Sequence, residues 1–562
     1  MLQDWRRWGA ASALLLASAC GPVDRAQLMA RLGSADAQLT LAHAYAQGEG
    51  ARRDAREALR WYHEAAAQDR REAWLALAEL YAGGEGVEAD PEAALGWYER
   101  LAESGSPEEQ FALAERLRTG EGLEQDVTAA LEWYRRAAEA GSVEAAMAAG
   151  MAYLNGQGTL RDFGSAAKWL RLAAEGGNAD AQNAYAVLHS HDYGPSRDYA
   201  VAFRWLKAAA EQDHLEAQQN LSALYAGGHG VEADLEEALL WLRRSADGGL
   251  RRAREQLAAA HEKGGLGLDP DREQARHWYR QAAEEGSARA AERLIEMLKE
   301  DSEGEPDPAA LHELQLLAAE AGDRDAQARV AEAFSEGIGT EVDDQKAMEW
   351  ALRSAEQGHA GAQNRVGVLY YRGQGVESDH EEAYRWFRRA SNLGDVDATA
   401  NLAFALLRGE GADRDTSEGA RLLQEAAAGG QLDAQYDLGL RLRAGAGIRR
   451  DAKEAFRWML EAAESGHPGA LNQLGIFHMR GIGTKTSAPW ALALFRIAEG
   501  EGEESATVNL ERLGKRTPLP ERYRSLDLEK EFRARMQARE QAPSPEAADA
   551  GAPEGPEAPG PT

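Results

Sequence analysis

The chain has 562 residues, with 63 Lys and Arg against 94 Asp and Glu, a net charge of −31. So acidic a surface repels phosphate backbones and argues against a nucleic-acid partner, and the length exceeds what one core fills, so several domains or a repeat array are expected. The 44% apolar content excludes global disorder, and the single cysteine, Cys20, excludes a disulfide framework or a cysteine-built metal centre.

At the N-terminus Arg6 and Arg7 precede an uncharged run from Gly9 to Ala19. A bilayer-spanning helix takes about 17–25 residues, so this run is too short to cross and fits the apolar core of a secretory signal over residues 1–19. It ends Leu16-Ala17-Ser18-Ala19-Cys20-Gly21. That segment resembles a bacterial lipobox, with Ala17 where the motif usually has Leu. The resemblance implies cleavage before Cys20 and lipid attached to its thiol. It further implies an envelope protein facing the periplasm, at the outer membrane because Gly21 and not Asp follows the cysteine. The plainer alternative is an ordinary signal peptide with an incidental cysteine. Residues 20–32 read as a lipidated linker.

From residue 33 onward one pattern recurs. Gly-x-Gly begins at Gly48, Gly84, Gly120, Gly156, Gly228, Gly265, Gly337, Gly373, Gly409, Gly445 and Gly481, at intervals of 36 or 72 with one extra residue before Gly265. The missing slots fall near Asp192 and Asp301, which makes thirteen units. Thirteen residues after the first glycine stands Trp in most units, as in Trp61, Trp133, Trp241 and Trp350; Leu314, Leu422 and Leu494 replace it in three. Six residues after that glycine stands Asp in twelve units, from Asp54 to Asp451, and Ser487 in the last.

One unit reads as a helical hairpin. Ala37, Leu41 and Tyr45 share a face of a first helix, which stops where Gly48 tolerates the left-handed turn. Asp54 then N-caps a second helix, and Glu57 stands at capping-box spacing, as do Glu237, Glu382 and Glu454 in later copies. The second helix offers Ala58, Trp61, Ala65 and Ala66 to its neighbour, small residues allowing close approach. Gly105, Gly141, Gly177 and their later copies then end it. A lone hairpin cannot bury its face, so stacking is required. The pattern, clearest in residues 364–394 (NRVGVLYYRGQGVESDHEEAYRWFRRASNLG), is similar to the Sel-one-like repeat, a relative of the tetratricopeptide repeat. The resemblance implies an all-α, right-handed α/α solenoid of about thirteen 36-residue hairpins over residues 33–513, closed by a capping helix at 503–513. Beyond it, Leu526, Leu528, Phe532 and Met536 mark an amphipathic helix over 514–540, and the Pro-rich, acidic residues 541–562 read as a disordered tail.

Several patterns within the array could carry chemistry. Ser165-Ala166-Ala167-Lys168 matches the S-x-x-K of serine β-lactamases, but no S-D-N or K-T-G accompanies it, and both residues stand in ordinary repeat slots. His189-Ser190-His191-Asp192 could offer imidazole and carboxylate to a metal, although His189 occupies a packing slot shared with Tyr153 and Tyr225. The Asp series lacks the calcium-loop spacing and the glycine loops lack G-K-[ST]. No metal, cofactor or catalytic residue is therefore expected. Gln38, Gln110, Gln182, Gln218, Gln327, Gln363 and Gln435 share one position of the first helix, with Asn183, Gln219, Asn364 and Asn472 at the next. They serve either as inter-repeat hydrogen-bonding groups or as partner-binding residues of a groove, where Gln182, Asn183, Gln218, Gln219, Gln363 and Asn364 are the candidates. The expected function is a non-catalytic protein–protein scaffold, tethered by lipid at Cys20 and holding components of an envelope assembly such as exopolysaccharide export or signalling. A secreted host-contact or effector protein is the alternative from another class, and a β-lactamase-type hydrolase is a third.

Overall fold

The structure, a computed structural model, describes residues 22–541 apart from 85, 192–195 and 303. The expected signal segment, Cys20, Asp192 and residues 542–562 of the expected tail lie outside the described residues. The chain forms two compact units, one ending at Trp278 and the other beginning at Tyr279. Each is an all-α solenoid of helical hairpins, and among the described residues no strand occurs. Helices A and B denote the first and second helix of a hairpin. The first hairpin is Ala35–Gln47 with Ala55–Ala66, and the thirteenth is Met-containing Pro468–Arg480 with Ala488–Gly500.

The two glycines of the inter-helix loop have different duties. The first ends helix A: Gly373 is left-handed at φ 68, and its N–H returns to the Leu369 carbonyl. The second serves the junction between hairpins. A Cβ on Gly375 would lie 2.0 Å from the carbonyl oxygen of Asp344, the first residue of the preceding helix B. Only hydrogen fits there.

The expected Asp caps form. Asp379 Oδ1 accepts the Glu381 and Glu382 N–H groups at 2.9 and 3.0 Å. The capping box expected at this point does not form, because the cap's own N–H is already taken. Asp379 N–H donates to the Tyr370 carbonyl at 3.0 Å, and Asp54 and Asp451 do the same to Tyr45 and Leu442. Released from that duty, Glu237 and Glu454 accept the indole N–H of Trp241 and Trp458, each at 3.1 Å. A capping box does form at Ser106 and Glu109, at the start of a helix A.

Gly141, Gly177 and Gly249 are left-handed as expected, but Gly105 is not among the positive-φ glycines. Asp69 and Asp213 adopt φ 58 and 60 at the same slot without glycine, consistent with the tolerance of Asp for this region.

The core lies between helices within and across hairpins. Trp61, Trp133, Trp169, Trp241, Trp350 and Trp386 are buried, while Trp97, Trp205, Trp278 and Trp458 are half-buried. Cations from the same helix cover most of these faces, such as Arg136 over Trp133 at 4.6 Å and Arg353 over Trp350 at 4.5 Å. Helix A contributes a small residue where helix B contributes a large one. Gly150 faces Leu170, Gly367 faces Phe387 and Gly475 faces Phe495, and a Cβ on any of the three would come 2.6 Å from the opposing side chain.

The ends depart from expectation. Residues Pro22–Arg31 are helical rather than a linker. Ala30 is buried, and its carbonyl accepts Gln38 Nε2 at 3.2 Å, so this helix stands in for a missing helix B. At the other end Glu504–Arg516 supplies a last helix A, followed by Leu519–Glu540. That final helix buries Phe532 and Ser525, while Leu526, expected on its apolar face, is exposed. Arg535 and Arg539 reach Glu464 at 3.7 and 3.3 Å, tying it to the helix B of residues 452–464.

Candidate functional site

The seven glutamines that share a slot are positioned by the hairpin junction. Gln182, Gln218 and Gln363 are buried. Each donates its Nε2 to the carbonyl eight residues earlier, at the end of the preceding helix B: Ala174 at 3.2 Å, Ala210 at 3.2 Å and Ala355 at 3.1 Å. A helix end leaves its last carbonyls without partners, and the glutamine satisfies one of them. In some hairpins the next repeat extends the chain of bonds, as where Gln212 Nε2 donates to Gln182 Oε1 at 2.9 Å. These three glutamines are buried at the seams between repeats. Arg254 and Trp74 do the same at this slot, through 2.9 and 3.2 Å bonds to Ala246 and Ala66.

The following position lies on the outer surface of helix A. Asn183, Gln219 and Asn364 are half-buried there. Asn220 Nδ2 donates to Asn183 Oδ1 at 3.0 Å in the first unit. In the second, Asn401 donates to Asn364 and Asn509 to Asn472, both at 2.9 Å. Each bond joins consecutive A helices, so these side chains form a row that crosses repeats.

Ser165 and Lys168 do not make a nucleophile–base pair. Ser165 Oγ donates to Asp162 Oδ2 at 2.7 Å, and that bond holds the Asp162 carboxyl below its usual range. Lys168 Nζ lies 4.4 Å above the Trp169 ring, as Arg60 does over Trp61 at 5.1 Å. His189 Nδ1 is 3.0 Å from the Ser196 carbonyl and its ring packs edge-on against Tyr185, so it serves packing. His191 Nδ1 is 3.0 Å from the Val187 carbonyl.

A feature missed in the sequence is a cavity of about 580 Å³ in the first unit, lined by Glu115, Arg118, Leu131, Tyr134, Met151 and Gln157 among others. The Tyr134 hydroxyl donates to Glu115, and Arg118 Nη2 meets the same carboxylate at 2.6 Å. The Arg118 hydrogen bond, the largest cause, pulls the Glu115 carboxyl below its ordinary range despite burial. Burial, and then the Glu115 bond, pushes the Tyr134 hydroxyl up. The signal was present: Tyr134 stands where the next hairpins have Leu170, Leu206 and Leu242.

The Sel1 repeat model matches twelve segments, 35–69, 72–106, 110–142, 143–178, 179–214, 215–250, 252–287, 324–359, 360–395, 396–431, 432–467 and 468–501. The unmatched stretch between 287 and 324 is where the glycine loop has decayed and Leu314 replaces Trp. Among solved structures, the chain is similar to a protective antigen of uropathogenic Escherichia coli with an SLR fold. Identity is 26%, over 97% of this chain and 100% of that one, with a TM-score of 0.38. It is also similar to a Sel1 repeat protein of Oxalobacter formigenes at 26% identity, over 69% and 92% of the two chains, TM-score 0.31. An immunity protein of Pseudomonas aeruginosa matches at 22%, over 41% and 87%, TM-score 0.26. No curated protein matches.

Proposed function

This chain belongs to the Sel1 repeat family, whose members are generally protein-interaction scaffolds, and from that premise we propose a lipid-tethered scaffold of the bacterial envelope that holds partner proteins on its helix A surface. The observation that carries the scaffold reading is the set of helix A side chains, half-buried except for the buried Asn472, joined from repeat to repeat. Repetition of one module offers a partner the same contact geometry many times, and extended contact of this kind suits binding rather than chemistry in one pocket. The tether reading rests on Cys20, the sole cysteine, which follows small residues and a short apolar run. A bacterial lipoprotein cysteine carries three acyl chains, and more than one chain makes anchoring stable. Among the described residues no helix is long and apolar enough to cross a membrane.

Palmitate labelling of the protein in cells tests the tether, with the label expected to vanish in Cys20→Ala; a label that persists, or none in the parent chain, overturns it. Cross-linking in intact cells followed by purification tests the scaffold. Stable protein partners are expected, and a fluorophosphonate or penicillin adduct on Ser165 would replace the scaffold with a hydrolase.

A further inference from the structure

The helix A surface of the second unit carries a feature that the scaffold reading does not need. In the helix Ala360–Arg372, the positions Asn364, Val368 and Arg372 are spaced by four residues and share a face. Val396–Arg408 repeats the last two as Phe404 and Arg408, with Asn401 one residue past the amide slot, and Pro468–Arg480 repeats all three as Asn472, Ile476 and Arg480. Leu432–Ala444 keeps the apolar residue, Leu440, and places Arg443 one residue from the cationic slot. The apolar members Val368, Phe404, Leu440 and Ile476 recur every 36 residues and are all half-buried. Stacked hairpins therefore lay down an apolar row and an arginine row, flanked by the amides of Asn364, Asn401 and Asn472 and interrupted at Tyr436.

The arginine row is unexpected on a chain of charge −31. A cation in the last turn of a helix complements its dipole; in the first unit Arg251–Lys263 ends on one, yet Thr119, Asn155 and Gly227 stand at the same slot of other A helices. Helix capping thus does not require it. Earlier in the second unit the slot is acidic, where Glu332 and Glu336 both turn toward Arg365 at 3.0 and 3.8 Å. Arg372 and Arg480 are exposed, and among the described residues neither forms an ion pair; Arg408 is 3.8 Å from Glu410. The amides of Asn364 and Asn401 have spare capacity as well. The Asn401–Asn364 bond uses one donor and one acceptor, and the other halves of both amides point away from it.

We infer that residues 360–480 bind an extended peptide segment whose apolar side chains sit on the Val368–Phe404–Leu440–Ile476 row and whose carboxylates meet Arg372, Arg408 and Arg480. An extended chain alternates its side chains between two faces, so apolar and acidic groups in alternation reach adjacent rows. The leftover donor and acceptor of the half-buried Asn364 and Asn401 are placed to meet the peptide backbone, whereas Asn472 is buried and bonded to Ser505 and Asn509. The arginines decide the sign of the partner's charge, because the remainder of the surface repels acids. This inference rests on the scaffold reading and narrows it to a partner chemistry.

The test uses the full chain and three fluorescein-labelled dodecapeptides, alternating Leu-Glu, Leu-Lys and Ser-Glu, read by anisotropy. Leu-Glu is expected to bind at least about tenfold more tightly than the other two, and to weaken as salt is added. The triple variant Arg372→Glu/Arg408→Glu/Arg480→Glu is expected to lose at least about tenfold with helical content intact, because these side chains are at the surface. Arg449→Glu/Arg450→Glu, in an exposed loop of the same unit, is expected to bind like the parent. Hydrogen exchange should show protection by Leu-Glu confined to residues 360–480. No binding of Leu-Glu, equal binding of Leu-Lys, an unaffected triple variant, or protection in the first unit would each overturn the inference. If the partner cross-linked in cells remains bound to the triple variant, the scaffold stands and this assignment falls.

Discussion

The two units are built on the same kind of core and differ on their helix A surface. In the first, this slot in the last turns holds Glu115, Met151, Val187 and Ala223, followed four residues on by Thr119, Asn155, His191 and Gly227; in the second, Val368, Phe404 and Ile476 are followed four residues on by Arg372, Arg408 and Arg480. The core slot varies less: it is Trp throughout the first unit, and in the second Leu314, Leu422 and Leu494 replace it with another buried apolar residue. Trp241 and Trp350 are 6% and 7% exposed and carry Arg244 and Arg353 on their faces at 4.7 and 4.5 Å. Packing restricts what a core slot accepts, whereas an outward slot is free to follow a partner. The difference therefore separates the positions that make a hairpin stack from those that give a stretch of the array its own binding character.

The largest effect should come from the shared core. Trp241→Ala and Trp350→Ala are each expected to cost about 3–5 kcal/mol through the cavity they leave. Matching losses in chemical denaturation would sustain a common core, whereas a loss below about 0.5 kcal/mol in either would mean that its ring faces solvent. Next come the glycines opposite large side chains. Gly475→Ala brings a methyl within 2.6 Å of the Phe495 ring, which is fully buried. The clash should outweigh the gain in helix propensity and leave a net cost of about 1–2 kcal/mol. Adding Phe495→Leu recreates the Ala186 and Leu206 pairing of the first unit and should recover part of it. A stabilised single variant would show that the pairing is incidental. Smaller again is the cap: Asp234→Ala and Asp451→Ala should each cost about 0.5–2 kcal/mol, read as faster amide exchange at the start of the following helix. A loss seen with calcium present but absent after chelation would make the Asp a ligand instead.

Repetition made the fold legible before any coordinates. A residue type that returns every 36 positions reports a shared environment, so the Asp caps, the Trp slot and the first loop glycine could be read directly. What could not be read was competition for one group. Glu57 has capping-box spacing, but Asp54 N–H is already bonded to the Tyr45 carbonyl, and only the path of the loop reveals that. The same holds for the second glycine, whose partner belongs to the preceding hairpin. The glutamines were visible as a set, yet burial decided their role, since a polar residue on helix A can face the seam or the solvent one position apart. Pro22–Arg31 was missed because a half-repeat lacks the loop glycines that mark the others.

A final, gentler probe uses acid. His478, in the second unit, has its pKa lowered by burial, and His63, in the first, is lowered for the same reason. A lowered folded-state pKa means that the unfolded chain takes up the proton first as pH falls. Stability is then undiminished above the ordinary histidine value, near 6.5, and declines as pH drops through it toward the folded value. Tm measured across that range should fall, and His478→Gln, which removes the titration while keeping a polar side chain, should flatten the slope. His63→Gln should do the same independently, because its ring contacts Tyr81 and Trp97 in a different unit. If only one of the two variants flattens the profile, the units differ beneath the surface as well as on it.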